Sequence, residues 1–236
     1  MENKIYLPGS RAQLELLFQN LDVSGLSALV MGSSSEEIAK AIAKQTGANV
    51  ELIVEDLESM MNSKLLLEDS ENINVRIMEF DVTDFEDNTF DLVYAQASVS
   101  SSKRNQIVKE IKRILKDDSC FCVGEIVKLK NDVPPFIQNV FDESDLNPIL
   151  IDELNNYYTQ RKFSIVYEVD LSDKLREYYM RSIKKLNMTR EELEENEKSY
   201  YKKLLNKISH ESNVYLKQGG DKVIGLKMLL LKKGTG

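Results

Sequence analysis

Three places in this chain of 236 residues carry side chains whose types and spacing could handle a ligand. They are the turn Gly32-Ser33-Ser34-Ser35, the acid pair Glu55-Asp56 and the acid Asp81. Gly32 follows the apolar run ALVM and precedes a helical pattern. Lacking a Cβ, it lets backbone approach a ligand and permits torsions closed to other residues. The stretch from Ala28 to Met61 thus reads as strand, tight turn, helix, strand and acidic tip. That layout places a nucleotide-like cofactor at the edge of a parallel sheet. Each feature also has a plain structural explanation. Gly32 could serve the turn alone, Glu55 and Asp56 could be favourable charges at a helix start, and Asp81 could occupy an exposed strand end.

The elements that must position these residues follow from periodicity. SRAQLELLFQN carries Leu14, Leu17, Phe18 and Leu21 at helical spacing. SALVMG is a near-continuous apolar strand, as expected when both faces are covered. A helix from about Ser35 to Gln45 turns Ile38, Ala41 and Ile42 inward and ends at the C-cap candidate Gly47. NVELIVE, NVRIMEFD, TFDLVYA and SCFCVGEI are further strands. Helices fall near 57–67 and 103–115, the second ended by Asp117-Asp118. The alternation predicts an α/β fold: a doubly wound, seven-stranded, mostly parallel sheet in a single domain over 1–236. Residues 128–148, with Pro134-Pro135, read as a loop or lid. A helix near 149–159 precedes the strand FSIVYEVD.

Residues 171–212 break the rhythm. They are helical and charged, with Thr189 and Glu192 as a capping box opening a second long helix that carries Leu193, Tyr200, Leu204 and Ile208. VIGLKMLLLK then resumes the sheet. The chain therefore has a helical insertion between its last two strands, placed to cap a cleft or to dock a protein partner or a second copy. Tyr178, Tyr179, Tyr200 and Tyr201 pack this arm, or line an aromatic cavity.

A formal charge of -8 argues against a nucleic-acid surface, although a local basic patch could escape the total. MENKIYLPGS lacks the pattern of a secretory signal, and no apolar run approaches the roughly 20 residues of a spanning helix. Cys120 and Cys122 lie two apart on one strand, share a face, and have no histidine or CxxC partner for a metal. They read as small unpaired thiols in a reducing, cytoplasmic setting. His210 stands alone and reads as surface.

Four phrases, in order, resemble the class I methyltransferases that use S-adenosylmethionine: ALVMGSSSE at 28–36, IVEDLESMM at 53–61, FDVTDFEDNTFDLVYA at 80–95 and VKEIKRILKDDSCFCVGE at 108–125. The resemblance spans about residues 8–170 and the last strand. It implies S-adenosyl-L-methionine as cofactor, with Gly32 and the backbone of Ser33 and Ser34 beside its amino-acid portion. Glu55, or Asp56 one residue on, would accept from both ribose hydroxyls, since each carboxylate oxygen can take one bond. Asp81 would pair with the adenine amino group, with the Val82 backbone beside the ring. Gln96 would line the methionine portion, and Arg11 would reach its carboxylate.

The family loop wants glycine where this chain has Ser34 and Glu36. A positive φ at Ser34 would cost about 1–2 kcal/mol. Glu36 can point outward from the first turn of its helix, or repel the cofactor carboxylate if turned inward. QASVSSSK, after the fourth strand, offers no general base, and no catalytic residue is assigned. The resemblance implies methyl transfer to a small molecule by positioning beneath the arm. A methyltransferase-like binding subunit, and an enzyme that modifies a macromolecule, are the alternatives.

Overall fold

The computed structural model describes residues 5, 7–192 and 209–234. In chain order the first elements are α1 (Ala12–Asn20), β1 (Ala28–Met31), α2 (Glu36–Thr46), β2 (Val50–Val54), α3 (Leu57–Leu66) and β3 (Ile73–Ile77). Next come β4 (Phe90–Gln96), α4 (Arg104–Ile114), β5 (Leu115–Lys128), α5 (Pro135–Glu143), β6 (Ile149–Leu150) and α6 (Leu154–Thr159). The last are β7 (Phe163–Asp170), α7 (Ser172–Glu192), a helical segment over 209–217, and β8 (Ile224–Lys233).

The sheet order is β3-β2-β1-β4-β5-β8-β7, with the short β6 beside β5. Pairing is parallel from β3 to β5, whereas β8 runs antiparallel to both β5 and β7. This is the expected seven-strand arrangement with one extra two-residue strand. Alternation along β1 divides the core between the two faces. Ala28 and Val30 pack with Ile38 and Ile42 of α2, and with Leu14 and Leu17 of α1. Leu29 and Met31 pack on the other face with Ile107 and Ile111 of α4 and Tyr158 of α6. Gly47 ends α2 with a left-handed φ of 66°, its N–H returned to the Ala43 carbonyl.

Three expectations are corrected. The 128–148 stretch is not a loop throughout, because α5 lies within it and buries Ile137, Val140 and Phe141. Pro135 starts that helix, where a missing N–H breaks no internal bond. Asp117-Asp118 do not end a helix. α4 stops at Ile114, and the two acids lie inside β5, where the register slips between Phe90↔Leu115 and Leu92↔Cys120 and Asp118 has φ 61°. Nor does Thr189 open a new helix. α7 runs through it to Glu192, with no glycine or proline to interrupt it. Leu193, Tyr200, Tyr201, Leu204 and Ile208 lie outside the described residues.

The arm packs where the sheet's C-terminal ends emerge. Leu175, Tyr179, Val214 and Tyr215 join the cluster that holds Ile126 and Leu226. Tyr179 lies against Tyr215, with ring centroids 4.6 Å apart, so its ring is spent on packing the arm. His210 is exposed.

A buried amide locks α1 to the sheet. Gln13 donates through Nε2 to the Ala95 carbonyl at 3.0 Å and to Cys122 Sγ at 3.7 Å. Its Oε1 presses on Gly124, where an added Cβ would sit 2.0 Å from that oxygen. Gly124→Ala should therefore destabilise the protein by about 1–3 kcal/mol, the usual cost of overpacking. A lower urea midpoint, with an unchanged slope, is the expected readout.

Candidate cofactor site

Adjacent strands β1 and β4 send their chains to opposite faces, α2 on one and α4 on the other. That divergence opens a crevice at their C-terminal ends, the place where open α/β sheets bind ligands. Gly32 enters it with φ 127°. A Cβ there would meet Ser98 Cβ at 3.2 Å, so both torsion and space call for glycine. Ser34 takes φ 63°, the left-handed conformation a second glycine would adopt without strain. The loop keeps its shape despite the substitution.

Ser33 and Ser34 are exposed at the tip of the turn. The first bond into α2 runs from Ala39 N to the Ser35 carbonyl. Among the described residues, the N–H groups of Ser33, Ser34 and Ser35 have no internal acceptor. They form a positive cradle at a helix start, suited to a carboxylate.

Glu36 does not point into solvent. It is buried, and its Oε1 accepts from Ser63 Oγ at 2.6 Å. Ser63 stands on α3, and α3 is capped by Asp56. The Asp56 carboxylate accepts from Ser59 N at 2.8 Å and from Ser59 Oγ at 2.7 Å. These bonds hold its pKa below the usual aspartate range. Both oxygens of Asp56 are thus engaged, which separates it from Glu55. The Asp-x-x-Ser spacing is an N-cap signal that the sequence carried openly.

Glu55 projects from the end of β2 and accepts from Phe80 N at 3.4 Å. Partial burial raises its pKa above the ordinary 4.5, against the opposing pull of that bond and of Lys103. Asp81 accepts from Lys103 Nζ at 3.0 Å, and the same ammonium reaches Glu79 at 2.9 Å. The two acids hold the Lys103 pKa well up. Val82 is exposed beside them. Sequence reading missed Lys103, because nothing in its neighbourhood announces contacts 22 and 24 residues away.

Two expected ligand contacts are otherwise engaged. The Gln96 amide accepts from Tyr94 OH at 2.6 Å and donates to the carbonyls of Pro8 at 2.7 Å and Ser10 at 2.9 Å. It clasps the N-terminal turn across the end of β4. Arg11 pairs with Glu15 at 3.0 Å along the exposed side of α1. Beyond Gln96, Ala97 takes φ 59°, Ser98 Oγ donates to the Met31 carbonyl at 2.9 Å, and Ser100 Oγ donates to Glu125 at 2.9 Å. Glu125 is fully buried and also accepts from Arg104 Nε at 2.8 Å. An acid inside the apolar run CFCVGEIV was the available signal for that pair.

The two turn positions should respond oppositely to substitution. Ser34→Gly relieves about 1–2 kcal/mol of torsional cost, less about 0.4–1 kcal/mol of added chain entropy. A gain of up to about 1.6 kcal/mol in urea unfolding is expected. Gly32→Ala should lower stability in the same assay.

A family described as "Methyltransferase domain" matches residues 29–123. No curated protein matches. Several solved structures share the fold. The 4+2 cyclase SpnF is 18% identical and superposes with a TM-score of 0.75 over 94% of this chain and 80% of its own. Phosphoethanolamine N-methyltransferase 2 of Haemonchus contortus, solved with phosphomonomethylethanolamine and S-adenosylhomocysteine, is 11% identical, with a TM-score of 0.80 over 99% and 55%. Geranyl diphosphate C-methyltransferase of Streptomyces coelicolor, solved with Mg2+, geranyl diphosphate and S-adenosylhomocysteine, is 13% identical, with a TM-score of 0.69 over 95% and 77%. The matched segment runs from β1 into β5 and contains the crevice. Residues 29–123 thus match the methyltransferase-domain family, and the chain as a whole shares the fold of these solved structures.

Proposed function

We propose that the chain transfers a methyl group from S-adenosylmethionine to a small-molecule acceptor, as one domain whose helical arm covers the site. The observation that carries this reading is the Gly32–Ser35 turn. It holds left-handed torsions at both Gly32 and Ser34, although serine is strained there. Such strain persists where the surrounding structure imposes it, and it clusters at ligand sites. The backbone of Gly32, Ser33 and Ser34 is assigned to the amino-acid portion, and Glu55 to the ribose hydroxyls. Asp81 is assigned to the adenine amine, with the Val82 backbone beside the ring. Lys103 holds one oxygen of the Asp81 carboxylate.

The bound sulfonium would supply an already activated methyl group. What the chain must do is align the acceptor and exclude water. The loop after β4 carries no acid or histidine, and its Ser98 and Ser100 are tied to Met31 and Glu125. Alignment therefore falls to the arm, which Leu175, Tyr179, Val214 and Tyr215 pack onto the sheet. Among the described residues, no helix is long and apolar enough to cross a membrane. The unpaired cysteines, with the Cys122 thiol pushed up to about 12 by burial, suit a reducing compartment such as the cytoplasm.

Calorimetry with S-adenosylmethionine and S-adenosylhomocysteine tests the reading directly. Absence of binding for both at millimolar concentration would sink it. Glu55→Gln and Asp81→Asn should each weaken binding of S-adenosylhomocysteine about tenfold or more, the scale of a lost charge-assisted bond. Because the Glu55 pKa is raised, its carboxylate is protonated, and affinity falls, as pH drops through a midpoint above 4.5. Glu55→Gln should remove that midpoint.

A further inference from the structure

We propose a second ligand site, for a small anion bearing a pyrophosphate group, in the cleft between α4 and the turn joining α6 to β7. The cleft has a volume of about 280 Å3. Four of its seven lining residues are cations, Lys109, Lys112, Arg161 and Lys162, and none is an acid. That concentration stands out in a chain with a formal charge of -8. Lys109 and Lys112 are three apart on α4 and so share a face. Among the described residues, neither they nor Lys162 forms an ion pair. Converging like charges repel one another, and an anionic ligand relieves that repulsion.

The cleft is braced as well as charged. Arg161 donates through Nη1 to the Tyr157 carbonyl at 2.8 Å and through Nη2 to Asn105 Oδ1 at 2.8 Å. Its guanidinium stacks 3.6 Å above the Tyr157 ring. These contacts fix a planar fork of donors, the geometry that suits phosphate oxygens. Asn105 Oδ1 also accepts from Tyr157 OH at 2.9 Å, so the NH2 end of that amide is left to donate into the cleft. Lys162 is held in the turn by φ 65° and by the bond from Gly234 N to its carbonyl.

Position separates this cleft from the cofactor crevice. Phe163, next to Lys162, pairs with Lys233 of β8, and Lys233 Nζ contacts the Leu115 carbonyl at the start of β5. The turn therefore lies at the N-terminal end of the parallel strands, opposite Gly32. The cations gather in one cleft and do not run as a stripe, which suits two adjacent phosphates better than a nucleic-acid track.

Calorimetry of the full chain with inorganic pyrophosphate at low ionic strength is the test. Binding that weakens with salt is expected, as is a loss of about tenfold or more in the double variant Lys109→Ala/Lys112→Ala. S-adenosylhomocysteine binding by that variant should be unchanged, and pyrophosphate binding should survive in Asp81→Asn. No binding of pyrophosphate, or equal binding by the double variant, would overturn the proposal. Far tighter binding of a mixed-sequence oligonucleotide, abolished by the same double variant, would overturn the small-ligand assignment in favour of nucleic acid.

Discussion

The site depends on one constraint, that neighbouring parallel strands β1 and β4 must hand their chains to opposite faces. With Leu29 and Met31 committed to one face and Ala28 and Val30 to the other, β1 is buried on both sides. Its exit is confined to a narrow turn. Gly32 fits because Ser98, leaving β4, comes within 3.2 Å of where a Cβ would stand. Ser98 then bonds the Met31 carbonyl and ties the two exits together. Crevice, turn and loop geometry are consequences of that divergence. The SpnF structure has the same fold and is described as a cyclase, so the crevice alone does not dictate what chemistry is done above it.

A second connection joins crevice and arm. Gln96, at the end of β4, holds the carbonyls of Pro8 and Ser10, and Arg181 of α7 reaches Ser10 Oγ at 3.3 Å. Gly9 lies between them, close enough to Leu226 that a Cβ would come within 2.6 Å of its side chain. The N-terminal turn is thus a wedge between the last residue of a central strand and the first long helix of the arm. Three short contacts thus link α7 to the end of β4.

Much of this fold was legible because periodicity reports burial. The strands appeared as apolar runs, α2 and α4 as amphipathic stripes, and Gly47 as a helix stop. Gly32 and Glu55 were readable as strand-end residues because each directly follows an apolar run, whereas Asp81 lies four residues beyond the end of β3. What was hidden depends on partners distant in sequence. The clasp made by Gln96 was not readable because its carbonyl partners lie 86 and 88 residues back. Glu36 looked like a hazard because Ser63, which restrains it, lies 27 residues on. α5 was obscured by Pro134-Pro135, which reads as a break although proline is tolerated in a first turn. Asp117-Asp118 resembled a helix stop because a β-bulge and a turn favour the same short acids.

The place of β8 bears on how the chain acquires its shape. β8 lies between β5 and β7, although β7 precedes it in the chain. As the polypeptide leaves the ribosome, the parallel half and its crevice are complete well before residue 224 appears. Through that interval β7 has no strand beside it, and β5 presents an open edge of unpaired N–H and carbonyl groups along nine future partners. Long-range pairing of this kind is slow, and its unfinished edge invites association with other chains. The order of synthesis thus makes β8, which emerges after β7, the strand that shields a central edge of the sheet.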